Sequence, residues 1–183
     1  MPRNPIARTL VERQFGRSAS DYAISSVHAE GESLAELDNR LAPQRGWRAV
    51  VGATGAAHMA LALAPHVASV VATDITAEML QQTDTLVGER GLDNVTTQRA
   101  SADSLPFASA TLDAVTCRLA AHHFPEISDF LAEAHRALRL GGRLGIVDNI
   151  APSAALTDIT GDADETRNVE TSDDKDLYAA ALA

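Results

Sequence analysis

The chain has 183 residues, 45% of them hydrophobic and 22% charged, with a mean hydropathy of -0.07, which excludes collagen-like, coiled-coil and wholly disordered classes and fits one globular domain. Twenty-five acids against 15 bases leave a formal charge of -10, a surface that repels a phosphate backbone, so no nucleic-acid partner is expected. Its one cysteine, Cys117, excludes an internal disulfide framework and a zinc cluster of paired cysteines, and the amino-terminal residues lead into no apolar run of leader or membrane-span length. These readings predict a cytoplasmic protein with no membrane partner.

In chain order, residues 18–41 read mostly as helix, with Tyr22, Val27, Leu34, Leu37 and Leu41 as the buried positions. Residues 49–51 form a short apolar strand, followed by the turn Gly52-Ala53-Thr54-Gly55 and a helix over 56–64. A second buried strand, 67–73, ends at Asp74. Thr76 then caps a helix that runs to Arg90 and closes on Gly91. Strands follow at 95–99 and 112–118. Ile127, Phe130, Leu131, Ala134 and Leu138 recur at helical spacing, Gly141-Gly142 ends that helix, and 143–147 is a fifth strand. Repeated strand–helix units predict an α/β fold with a doubly wound parallel sheet. Residues 1–150 are expected to form this domain, with 1–45 as a helical lid. Residues 151–183 hold eight acids and two bases and read as an acidic, partly flexible tail, with 177–182 as a short docking helix.

Ligands of such sheets sit at the carboxyl ends of the strands, which decides which residues matter. A glycine turn after the first strand lets backbone N–H groups approach an anion or a ribose, and Asp74, 19 positions after Gly55, suits ribose hydroxyls. The same residues also serve a tight turn and a helix cap, so both readings stay open. A nicotinamide site fails on detail, because the third glycine of its turn is replaced by His58 and the only lysine is Lys175, with threonine four residues before it. His122 and His123 follow the fourth strand at the reactive edge, where an imidazole donates, accepts or shuttles protons. Asp148 and Asn149 end the fifth strand at the same edge. Cys117, inside an apolar strand, reads as an inert thiol, Asp113 as lying on the opposite edge, and no metal site is expected.

The stretch from Trp47 through Val51 to Gly55, His58, the run 64–74 ending in Asp74, Gly91-Leu92-Asp93-Asn94-Val95, Ser104-Leu105-Pro106-Phe107, Ala121-His122-His123-Phe124 and Leu140-Gly141-Gly142-Arg143-Leu144 resemble the class I S-adenosylmethionine-dependent methyltransferases. The similarity is to the ubiquinone/menaquinone-biosynthesis group and covers roughly residues 10–150. It implies a cofactor site on Gly52, Gly55, Asp74 and Ser101, and a lid bearing Phe15, Tyr22 and His28.

Several positions depart from the family pattern. Val51 stands in place of the first-strand acid that orients the cofactor's ammonium group, Ala57 in place of a glycine, and Ser101 in place of the adenine acid, with Asp103 two residues on. Each lost charge-assisted bond is worth about 1.5–3 kcal/mol, and about 1.4 kcal/mol is tenfold in affinity, so a micromolar site becomes millimolar. The family's sheet also continues beyond the fifth strand, whereas here the acidic tail follows Ile150. The resemblance therefore implies a sheet truncated at the fifth strand, with an exposed edge for a homodimer or a covering segment.

The expectation drawn from these departures is a repurposed enzyme that requires no cofactor. It would cyclise a polyene or polyketide-type secondary metabolite, pericyclic ring closure included, by orientation and a hydrogen bond. Tyr22, His122 and His123 are its catalytic candidates, and Phe15, His28 and Asn149 line the small-molecule substrate. The alternative is an S-adenosylmethionine-dependent methyltransferase of a small molecule, and a third reading is a non-catalytic binding subunit.

Overall fold

A computed structural model describes residues 32–148 and 177–178. The central strand, β1 (Arg48–Val51), is the short apolar run the sequence predicts, and its last three residues are buried. Side chains alternate across a strand, so Ala49 and Val51 enter one apolar layer and Val50 the other. Parallel strands β2 (Ser69–Asp74) and β3 (Val95–Arg99) extend the sheet on one side of β1. On the other side lie β4 (Leu112–Arg118), β5 (Leu138–Val147) and the two-residue β6 (Leu177–Tyr178), giving the order β3-β2-β1-β4-β5-β6. The chain leaves β1 towards β2 and β3 and re-enters across it at β4. The crevice for a ligand therefore opens above the carboxyl ends of β1 and β4.

Helices α1 (Glu32–Leu41), α2 (His58–Leu63) and α3 (Ala77–Glu89) contribute Leu37, Leu41, Met59, Leu63 and Val87 to one layer. Helix α4 (Ile127–Ala137) carries Phe130, Ala134 and Ala137 into the other, with Leu105, Leu112 and Leu144. A Cβ at Gly145 would lie 2.7 Å from Leu37 Cδ1, so the bare backbone of β5 is what lets α1 settle on the sheet. Away from the crevice, Asp113 accepts from the Arg48 N–H and from Arg139, which places it on the opposite edge as expected.

The boundaries differ from the sequence reading where turn chemistry overrides periodicity. Helix α2 begins at His58 rather than 56, because residues 53–57 stay in the turn. Helix α4 stops at Ala137, and Leu138 already belongs to β5. Between Leu112↔Leu138 and Ala114↔Arg143 the register slips, and Gly141-Gly142 form a bulge inside the strand instead of a helix end. Gly141 has φ of 76°, and a Cβ at Gly142 would come within 2.9 Å of the Arg139 carbonyl, so the bulge demands both glycines.

Strand β5 is not a bare edge throughout. In the tail, β6 (Leu177–Tyr178) pairs antiparallel with Val147 and Ile146, where a docking helix was expected over 177–182, and a homodimer or a covering segment at the edge. Over these two residues the chain's own tail supplies the pairing. No helix among the described residues is long and apolar enough to cross a membrane.

Candidate functional site

The crevice is lined from both sides of the switch: the turn after β1, Asp74 to Thr76 after β2, Ala100 to Asp103 after β3, Arg118 to Ala120 after β4, then His123 to Glu126 and Phe130. The turn is a left-handed staircase, with Ala53, Gly55 and Ala57 at φ of 49°, 52° and 71°. Left-handed backbone costs an L-residue about 1–2 kcal/mol, so alanines at 53 and 57 mean that the surroundings impose this shape. They do so through the Thr54 N–H on the Thr73 carbonyl (2.8 Å), the Ala57 N–H on the Thr54 carbonyl (3.2 Å), and the Thr83 hydroxyl on the Gly55 carbonyl (3.2 Å).

Asp74 anchors the arrangement. Its Oδ2 accepts from the Gly55 N–H (3.0 Å) and its Oδ1 from the Thr76 N–H (2.9 Å), and the Thr76 side chain also bonds to it. Thr76 thus occupies the cap position of α3, but its hydroxyl serves Asp74 and makes no cap bond. Burial pushes the Asp74 carboxyl above the usual range, opposed by these bonds. The carboxylate faces the crevice beside the Thr54 hydroxyl, a buried oxygen with no hydrogen-bond partner. A buried unsatisfied hydroxyl is costly and asks for a ligand. These groups fit a nucleoside with a diol. Val51, only 1% exposed, lines the crevice and offers an ammonium group nothing.

The two histidines part company on the 3₁₀ turn Ala121–His123. His123 lines the crevice, and burial, followed by the neighbouring His122, lowers its pKa below the ordinary histidine value, which favours a neutral imidazole. His122 turns to a shallow depression on the other side of the turn. Its Nδ1 lies 2.6 Å from Asp148 Oδ1, while its backbone N–H donates to Oδ2 at 2.7 Å. A carboxylate only accepts, so Nδ1 carries the proton. The two rings lie 3.8 Å apart, so the Asp148 clamp on the end of β5 steadies the segment that holds His123.

Of the other predicted residues, Gly55 and Ser101 line the crevice, as does Asp103. Gly52 does not: its N–H donates to the Thr116 carbonyl (2.8 Å) and a Cβ there would face Phe130, so it closes the sheet rather than touching a ligand. Tyr22, Phe15, His28 and Asn149 lie outside the described residues. Cys117 is fully buried and burial pushes its thiol far up, as befits an inert group. No group of metal-ligating side chains occurs among the described residues. Sequence reasoning missed Thr54 and Arg118. The second had a signal, since Arg118 ends β4 at the same edge as Asp74 on β2.

A doubly wound parallel sheet with a left-handed turn after its first strand and a crevice-lining acid after its second is the architecture of the class I methyltransferases. The chain belongs to that S-adenosylmethionine-dependent family, whose methyltransferase domain matches residues 50–146. It is 35% identical to the uncharacterised methyltransferase YcgJ of Bacillus subtilis over 80% of this chain and 58% of that one. It is 33% identical to the ubiquinone/menaquinone biosynthesis C-methyltransferase UbiE of Agrobacterium fabrum over 62% of this chain and 45% of that one. The crystal structure of YcgJ superposes with a TM-score of 0.66, covering 69% of this chain and 54% of that one. The [4+2]-cyclase SpnF, 19% identical, shares the fold at a TM-score of 0.67, covering 81% of this chain and 62% of that one. The chain spans about half the length of the curated relatives it matches.

Proposed function

We propose that the chain transfers a methyl group from S-adenosylmethionine to a small molecule. The observation that carries this reading is Asp74, held by the Gly55 and Thr76 N–H groups with its carboxylate in the crevice beside the unpartnered Thr54 hydroxyl. The relatives support methyl transfer over the cofactor-independent cyclisation expected from the sequence.

When bound, S-adenosylmethionine supplies a methyl group on a sulfonium sulfur. Asp74 would accept hydrogen bonds from the ribose diol, Ser101 and Asp103 would border the base, and Met79 and Phe130 would cover apolar surface. His123, kept neutral by burial, takes the proton that the acceptor's nucleophilic atom gives up.

Calorimetric titration with S-adenosylmethionine and S-adenosylhomocysteine tests the reading, with dissociation constants below about 100 µM expected. Asp74→Asn keeps the shape but loses the charge, and weakens both by about 10–100-fold. The second reading, cyclisation of a polyene or polyketide without cofactor, draws on Val51, Ala57 and Ser101, which stand where the family pattern has an ammonium-orienting acid, a glycine and an adenine-binding acid. Absence of binding up to about 1 mM transfers the conclusion to it.

A further inference from the structure

We propose that Val51 makes the donor site indifferent to the α-amine of its ligand: the crevice takes an adenosine thioether or sulfonium by its nucleoside, and a deaminated analogue that keeps the terminal carboxylate binds as tightly as the amino acid. The proposal rests on the methyl-transfer reading and names the donor class which that reading admits.

Ribose fixes where the tail of such a ligand goes. Its diol edge lies between the carbon that bears the base and the carbon that bears the 5′ substituent, so the two arms leave on opposite flanks. With the diol on Asp74 at the end of β2 and the base towards Ser101 and Asp103 after β3, the tail would run over the end of β1. That part of the lining is Val51, Ala53, Ala56 and Met59, with Val51 1%, Ala56 4% and Met59 3% exposed. An ammonium laid there would shed water and find no charge in return.

The main chain of the turn is committed too. The Val51 carbonyl accepts from the Thr73 hydroxyl (3.1 Å), the Thr54 carbonyl from the Ala57 N–H (3.2 Å) and the Gly55 carbonyl from the Thr83 hydroxyl (3.2 Å). Among the described residues the crevice has three carboxylates, Asp74, Asp103 and Glu126. Asp74 is engaged by the Gly55 and Thr76 N–H groups and would hold the diol. Asp103 follows β3, two strands or about 10 Å from β1 across the sheet. Glu126 stands at the exposed start of α4 and also borders the shallow depression beside His122. An ion pair at so exposed a carboxylate changes affinity a few-fold at most. Val51 is therefore the position at which one side chain decides whether the amine is read.

The test titrates the full chain by calorimetry with S-adenosylhomocysteine and with its deaminated thioether, in which butanoate replaces the amino acid. The deaminated acid is expected to bind no more than about threefold less tightly. A larger preference for S-adenosylhomocysteine overturns the proposal, and loss of that preference in Glu126→Gln would pass the amine to that carboxylate. Val51→Asp places a carboxylate under the tail and is expected to raise the preference for S-adenosylhomocysteine by about tenfold or more. An unchanged ratio overturns the assignment to Val51. If Val51→Asp does not fold, the nearly isosteric Val51→Thr is read instead. A rise in the preference of about threefold then supports the proposal, and no rise overturns it. Binding of neither ligand at about 1 mM overturns methyl transfer and the proposal together, whereas tight binding with an amine preference overturns the proposal alone.

Discussion

The two sides of the crevice are built in different ways. On the β1–β2 side the main chain does the work: a left-handed turn, a carboxylate held by two N–H groups, and a buried threonine hydroxyl with no hydrogen-bond partner. On the β4–β5 side the backbone is a 3₁₀ turn, and the chemistry lies in side chains positioned by other side chains, His122 by Asp148 and Arg118 by Ser33. A main-chain cradle tolerates substitution as long as φ and ψ are kept, which is how alanines stand at 53 and 57. A side-chain cluster fails when one partner is lost. The first design suits a ligand common to a whole family, and the second an acceptor peculiar to one member.

The largest effect is expected on the side-chain half. His123→Gln lowers turnover by about 10²–10⁴-fold while leaving S-adenosylhomocysteine affinity unchanged, measured on any acceptor found by cofactor consumption. Equal losses of binding and turnover would merge the two halves into one unit. Because the folded-state pKa of His123 is lowered, the rate should hold through the ordinary histidine range and drop only at lower pH, as the imidazole protonates.

A smaller effect is expected where the halves are tied together. Glu133 on α4 receives the Leu105 N–H (2.8 Å) and both Nε (2.8 Å) and Nη2 (2.7 Å) of Arg136, pinning the segment after β3 to α4. Glu133→Gln costs about 1–2 kcal/mol of stability in urea titrations near neutral pH. Arg136 holds the Glu133 carboxyl below its usual range. Its contribution is therefore complete above the unfolded glutamate value and is lost as pH falls through the lower folded value. The gap between the two proteins should close in acid, and a gap that persists there would show that the charge is not its source.

The smallest effect tests the main-chain half. Ala53→Gly relieves a left-handed alanine and raises stability by about 1 kcal/mol, read as a higher urea midpoint at constant slope. A lower midpoint would mean that the turn is not strained.

Strand runs of buried apolar residues, the acid after β2 and the paired histidines after β4 were legible because they are local: periodicity and turn composition announce them wherever the chain goes. That sufficed for the family and for the edge of the sheet that carries the site. The division of labour between His122 and His123 was not legible, since it depends on Asp148 arriving beside one ring from a neighbouring strand, 26 residues on. The same holds for Arg118, set by a serine 85 residues earlier, and for the β5 bulge, where strand pairing overrode a helix-like pattern. A reading of adjacent residues sees which groups reach the carboxyl edge. Which of them face one another is decided by strand order and register, which bring distant parts of the chain within hydrogen-bond reach.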